Sequence, residues 1–232
     1  MATLDGISQK QILVHATLVG LTPLIPFPFV DDMVKGQLQR RLVRTLADVH
    51  GLDLGMPDVK VLADDPPRSW VKGVAVSTAL YPLRVVLRKT FIVLQGKRIV
   101  DLASDCYHRG YLTDHAFRER WCAPLGPRRA ADVRAAVDAV CAEVPTRPVA
   151  HALRTGFNEA RAATTDLAGT LLRALGRVPP DAPPEEVQRV VDDAALDSAS
   201  GIAERLRRAV AEVPAEHFDD MRRRLDEKLG AS

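Results

Sequence analysis

The chain is poor in aromatic residues, 5% of its 232, and has only three cysteines, Cys106, Cys122 and Cys141. Cysteines odd in number and far apart give no disulfide framework, which points to a reducing, cytoplasmic compartment. Alternating stretches rich in β-branched residues are nearly missing, so little supports a sheet. No G-x-x-x-x-G-K-[ST] or G-x-G-x-x-G is present to cradle a phosphate, and no G-x-S-x-G turn to present a serine nucleophile. No cofactor is expected, and no catalytic motif survives inspection. The first residues, MATLDGISQK, lack a basic region followed by a cleavable small-residue site, so no secretory signal is expected. A dominant charge is missing too: 32 Lys and Arg face 30 Asp and Glu, a net of +2. The arginine runs at 40, 128, 207 and 222 have acids beside them, which argues against nucleic acid as a partner.

What is present is a helix-forming chain. Apolar residues at 47% and charged at 27% suffice for a buried core, and Ala, Leu, Arg and Glu dominate. The expected fold class is all-α, a multi-helix bundle of about nine helices with an N-terminal, proline-turned helical hairpin. A hairpin-containing region over 1–125 and a C-terminal helical bundle over 126–232 are expected, and the short APLGPRR between them also suits one continuous domain. Charge divides unevenly: residues 1–130 hold 18 Lys and Arg against 12 Asp and Glu, and the remainder 14 against 18.

Ser8 is placed to cap a first helix ending near Leu21, stopped by Pro23, Pro26 and Pro28. Asp31 opens a second helix that Gly51 stops. There Val34, Leu38, Leu42, Leu46 and Val49 form one stripe, with Lys35, Arg40, Arg41 and Arg44 on the other side. GLDLGMPDVKVLADDPPRS reads as a linker or surface loop. A helix capped by Ser69 and interrupted at Pro82 follows, then a long helix from Leu83 to Arg109 ended by Gly110, and a short helix opened by Thr113. Later helices are expected near 128–144, 148–175, 185–212 and 215–229, with VPPDAPP as a rigid corner.

Two places carry functional expectations. The connection GLTPLIPFPFVDD is nearly long enough with its preceding helix to cross a membrane, but its clustered prolines free backbone groups that lipid cannot satisfy. It reads instead as a turn closing a hairpin, with Ile25, Phe27 and Phe29 either packed in the domain or meeting headgroups while Lys35, Arg40, Arg41 and Arg44 face anionic lipid. The richest polar cluster is DLASDCYHRGYLTDHAFRERWC, where Asp101, Asp105 and His108 align on one helical face with His115 beyond. Its cysteine and histidine intervals match no standard zinc spacing, so no metal is expected there.

The residues Pro23, Ile25, Pro26, Asp31, Gln39, Val43, Leu46, Ala47, His50 and Gly51 make a pattern of apolar helix, proline turn, acid and amphipathic helix. This stretch resembles the helical hairpin of an uncharacterised bacterial family often fused to, or encoded beside, membrane-associated GTPases, and is similar to the EcsC-like proteins. The resemblance covers about forty residues and implies a membrane-proximal helical accessory module without known catalysis. Where such families show a second glycine-rich apolar hairpin, this chain has the arginine-bearing stretch around Pro82.

The expected function is therefore a non-enzymatic interaction or accessory module in the cytoplasm, peripheral to the inner membrane, with a protein partner. The alternatives are a metal-dependent or acid/base enzyme using the Asp101, Asp105, His108 and His115 cluster, or a carrier of a small apolar ligand.

Overall fold

The structure, a computed structural model, describes residues 6–24, 30–65, 88–175, 177–178 and 183–230. Among these the fold is all-α, with one isolated bridge between Cys122 and Arg128. The α-helices are α1 (Gly6–Leu21), α2 (Val30–Val49), α3 (Met56–Ala63), α4 (Arg88–Arg118), α5 (Ala130–Glu143), α6 (Arg147–Glu159), α7 (Arg161–Leu175), α8 (Pro184–Val210) and α9 (Ala215–Gly230), and a 3-10 turn, Thr22–Leu24, follows α1.

Helix α1 is the axis of the molecule. Every residue from Ile12 to Leu21 is buried, because α2, α4 and α8 surround it. A helix apolar on all sides must find either lipid or protein, and here protein encloses it. Two of its buried polar side chains bond back to the helix: His15 Nδ1 hydrogen-bonds the Gln11 carbonyl at 2.8 Å, and the Thr17 hydroxyl donates to the Leu13 carbonyl at 2.8 Å. Among the described residues no helix is long and apolar enough to cross a membrane.

The chain turns after α1 and returns as α2, whose Leu42 shares with Ile12 the space above Gly110. Val34, Leu38, Leu42 and Leu46 are buried, the stripe expected from their spacing. Gly51, at φ +68°, ends α2, with Leu52 N–H returning to Ala47 and Gly51 N–H to Asp48. Residues 56–63, expected as loop, form α3. Pro57 suits the first turn, Asp58 complements the helix N-terminus, and Val59, Leu62 and Ala63 bury one face.

Helix α4 runs through Gly110 and Thr113 without the expected break. A Cβ on Gly110 would sit 3.1 Å from Ile12 Cγ2 and 3.2 Å from Leu42 Cδ2, so this glycine allows close approach and does not terminate. A Cβ on Gly20 would meet the Ile99 carbonyl at 2.9 Å, so α1 and α4 are antiparallel and closely apposed. The helix expected over 148–175 is divided at Ala160 into α6 and α7, and both segments pack along α8. No proline or glycine marks that break.

Side chains from both sides of position 125 enter one buried apolar cluster, including Leu13, Leu46 and Phe117 with Val140, Leu153 and Leu206. Helix α8 packs on α1 and α2 as well as on α6 and α7. The turn residues Ile25, Pro26, Phe27, Pro28 and Phe29, the Ser69–Pro82 helix with Arg84, the start of the long helix at Leu83, and most of VPPDAPP lie outside the described residues.

Candidate functional site

One open space brings several charged side chains together. Lys35 and Gln39 lie one turn apart on α2. Leu102, Asp105, Cys106 and Arg109 lie on the facing side of α4, and Asp65 joins them from beyond α3, around a cleft of about 240 Å³. Asp65 is held there because α3 packs on α2 and α5, while the neighbouring Asp64 grips Arg40 through two bonds of 2.6 Å.

Asp65 is the hub of the cleft. It accepts from Lys35 Nζ at 2.6 Å and Arg109 Nη1 at 2.9 Å, and Arg134 Nη2 lies 3.7 Å away. Arg134 is itself buried, donating to the Leu62 carbonyl and to Asp138, each at 2.7 Å. Burial pushes the Asp65 carboxyl up, but the bonded Lys35 ammonium and the guanidiniums of Arg109 and Arg134 more than offset it and hold it below the usual range. Asp105 goes the other way. It keeps one side in solvent, yet loss of water on the other pushes its carboxyl up against the pull of Arg109 and Lys35. Burial raises the Cys106 thiol to about 12, so it stays protonated at neutral pH and is no nucleophile.

The other side of α4 packs against α9. His108, Tyr111 and His115 follow one edge, and His217, Phe218, Arg222 and Asp226 of α9 run parallel to them. His108, 2% exposed, has Nδ1 on the Ser104 carbonyl at 2.7 Å, which places its proton there and leaves Nε2 as an acceptor facing His217 Nε2 at 3.4 Å. Burial lowers its pKa to about 4 and lowers that of His217 as well, so both rings are neutral at pH 7. Phe218 packs on Tyr107 and Tyr111, and the Tyr111 hydroxyl accepts from Arg222 at 2.9 Å. Asp226 closes the seam, accepting from Trp121 Nε1 at 2.9 Å and contacting His115 Nε2 at 3.0 Å.

The four residues of the expected polar site therefore part. Asp101 is exposed, Asp105 borders the cleft, and His108 and His115 enter the α9 seam. They do share one edge of α4, but that edge is the boundary between two neighbours, and each side chain is drawn to the nearer one. Among the described residues no group of three or more His, Cys, Asp or Glu is placed to hold a metal ion. Of the expected basic contact face, Lys35 and Arg40 are engaged by Asp65 and Asp64, while Arg44 is exposed against the Met56 sulfur. Lys35 is only 15% exposed, so its charge is turned into the protein. Ile25, Phe27 and Phe29 lie outside the described residues.

Sequence reasoning passed over Asp65 and Arg109 as partners of Lys35 and Asp105. The signal was faint: two polar i, i+4 pairs, Lys35–Gln39 and Asp105–Arg109, on helices otherwise apolar at that edge. It also missed His50, whose Nε2 lies 2.8 Å from the fully buried carboxylate of Asp114.

The molecule defined by these features is an all-α bundle with a charged cleft on one side of its longest described helix and a neutral histidine seam on the other. No family model, curated protein or solved structure matches the chain.

Proposed function

We propose that the protein is a non-enzymatic helical accessory module that works in the cytoplasm and docks on the anionic face of the inner membrane, beside a protein partner. The observation that carries this reading is the outer face of α2 and α3. Met56 and Val61 are 44% and 42% exposed, two of the few large apolar side chains left in solvent, and Arg44 and Lys60 stand beside them. Apolar side chains interspersed with cations suit a headgroup layer, where the apolar groups partition and each nearby cation contributes about 1 kcal/mol of attraction to acidic lipid. The likeness of the proline-turned stretch to the hairpins of membrane-proximal proteins supports the same reading. Lys35 and Arg40 contribute less, since aspartates already neutralise them.

Cosedimentation with phosphatidylglycerol vesicles tests the proposal. Binding is expected at low salt and falls with added salt. Met56→Ser with Val61→Ser, Phe27→Ser, Arg41→Glu and Arg44→Glu each reduce it, and Lys35→Glu reduces it less than Arg44→Glu. Failure of the wild-type chain to pellet with vesicles at low salt would remove the membrane from the account.

A further inference from the structure

We propose that His108 and His217 form a two-proton latch on the start of α9: His217 takes a first proton with the seam closed, and a second proton, on His108, parts the first two turns of α9 from α4. The two rings meet nearly head-on, with Nε2 atoms 3.4 Å apart and ring centroids 5.7 Å apart. His108 directs its Nδ1 proton to the Ser104 carbonyl, so the neutral pair is held by an Nε2–H of His217 donating to Nε2 of His108. The half-buried His217 can then charge at Nδ1 and still donate the same bond. His108 has no such second place. A proton on its Nε2 removes the acceptor from the contact and sets two N–H groups, each on a cation, against one another.

The charged surroundings do not offset that repulsion. His217 is the charged group that acts on His108, and Asp220 acts on His217 while its carboxylate is held by Arg223 and Arg224. Of the other helices packed on α4, α2 and α5 bring Lys35, Arg134 and Asp138 to Asp65 and Arg109, and α2 brings His50 to Asp114. Helix α1 has Lys10 exposed and His15 on its own Gln11 carbonyl, and Arg147, His151, Arg154 and Glu159 of α6 are exposed. Burial holds His108 near 4 and lowers His217, with Asp220 pulling the latter upward, which is the order the latch requires. The two ends of α9 are also unequally fastened. The far end is tied by Trp121 Nε1 on Asp226, by Arg128 Nε on the Leu229 carbonyl at 2.8 Å, and by Lys228 on Glu143 at 2.7 Å. The near end rests on the histidine pair, on Phe218 against Tyr107 and Tyr111, and on the Arg222 bond to Tyr111. The chain leading into it, 211–216, is exposed except at Val213.

Hydrogen exchange read by mass spectrometry on the full chain at about pH 7, 5.5 and 4, corrected for the intrinsic pH dependence of exchange, tests the latch. Residues 215–221 are expected to keep their protection at about pH 5.5 and to lose it about tenfold or more at about pH 4, while 224–230 and α4 stay protected. His217→Gln supplies an amide that donates to the neutral His108 ring or turns over and accepts from the charged one, so 215–221 stay protected in acid. His108→Gln is a second, separate variant with the same expected result. Unchanged protection of 215–221 in acid, a loss already complete at about pH 5.5, or loss over both ends of α9 together would overturn the proposal. The wild-type loss persisting in either glutamine variant that folds would overturn it as well. Vesicles play no part in this assay, so its outcome is independent of the membrane reading.

Discussion

The two sides of α4 treat polar side chains in opposite ways. Toward α2 the charges are kept: Lys35, Arg109 and Arg134 gather on Asp65, and Asp138 also pairs with both arginines, at the edge of a water-accessible cleft. Toward α9 the histidines give their charge up: His108 and His217 meet as neutral rings packed with Tyr107, Tyr111 and Phe218, while Arg222 and the partly exposed Asp226 make polar contacts along the same seam. Access to water decides the outcome. At a wet edge opposite charges retain enough hydration to coexist, whereas a dry seam makes an imidazolium too costly and moves its pKa instead. Such a seam holds helices in a fixed register.

The largest expected effect comes from the driest polar contact of α4. Asp114 is 0% exposed, and its pairing with His50 ties α4 to the end of α2. Asp114→Ala strands the imidazole and opens a void, and should lower unfolding free energy in urea by about 3–5 kcal/mol. A small change there would mean that the contact is wetter than its geometry implies.

Acid comes next. His108 titrates near 4 in the folded chain against about 6.5 unfolded, so as pH falls below 6.5 the unfolded chain takes up the proton first. Stability is therefore complete above pH 6.5 and declines toward pH 4, by about 3 kcal/mol from this group, with His217 acting in the same direction. Denaturant melts across that window measure it, and His108→Gln should flatten the decline even if it lowers stability at pH 7.

The smallest effect belongs to the wet side. Lys35→Met removes one of two close cations from a partly exposed carboxylate, leaving Arg109 in place, and should cost about 1 kcal/mol or less. A loss as large as that of Asp114→Ala would erase the distinction between the two sides.

Much of the first half of this arrangement can be read from the sequence. The prolines after Leu21 and the stripe Val34, Leu38, Leu42 and Leu46 set the ends and the buried side of α1 and α2 through local chemistry alone. Helix α3 was obscured because β-branched valines within eight residues give no clear period, and its stability comes from packing on α2 and α5. Gly110 misleads because a glycine at a crossing and a glycine at a helix end look alike in one chain. The candidate site was harder still. The alignment of Asp101, Asp105 and His108 follows from helix geometry, but their separation depends on Asp65, His217 and Asp226, which are distant in sequence and give no local signal.

The histidine seam tests the account most directly. Nitrogen-15 resonances of the His108 ring, followed by NMR from neutral pH downward, should show a neutral ring with its proton on Nδ1 and no titration until about pH 4, where the fold itself weakens. A midpoint near the ordinary 6.5 with the fold intact would show that water reaches the ring, and the contrast between the two sides of α4 would be wrong.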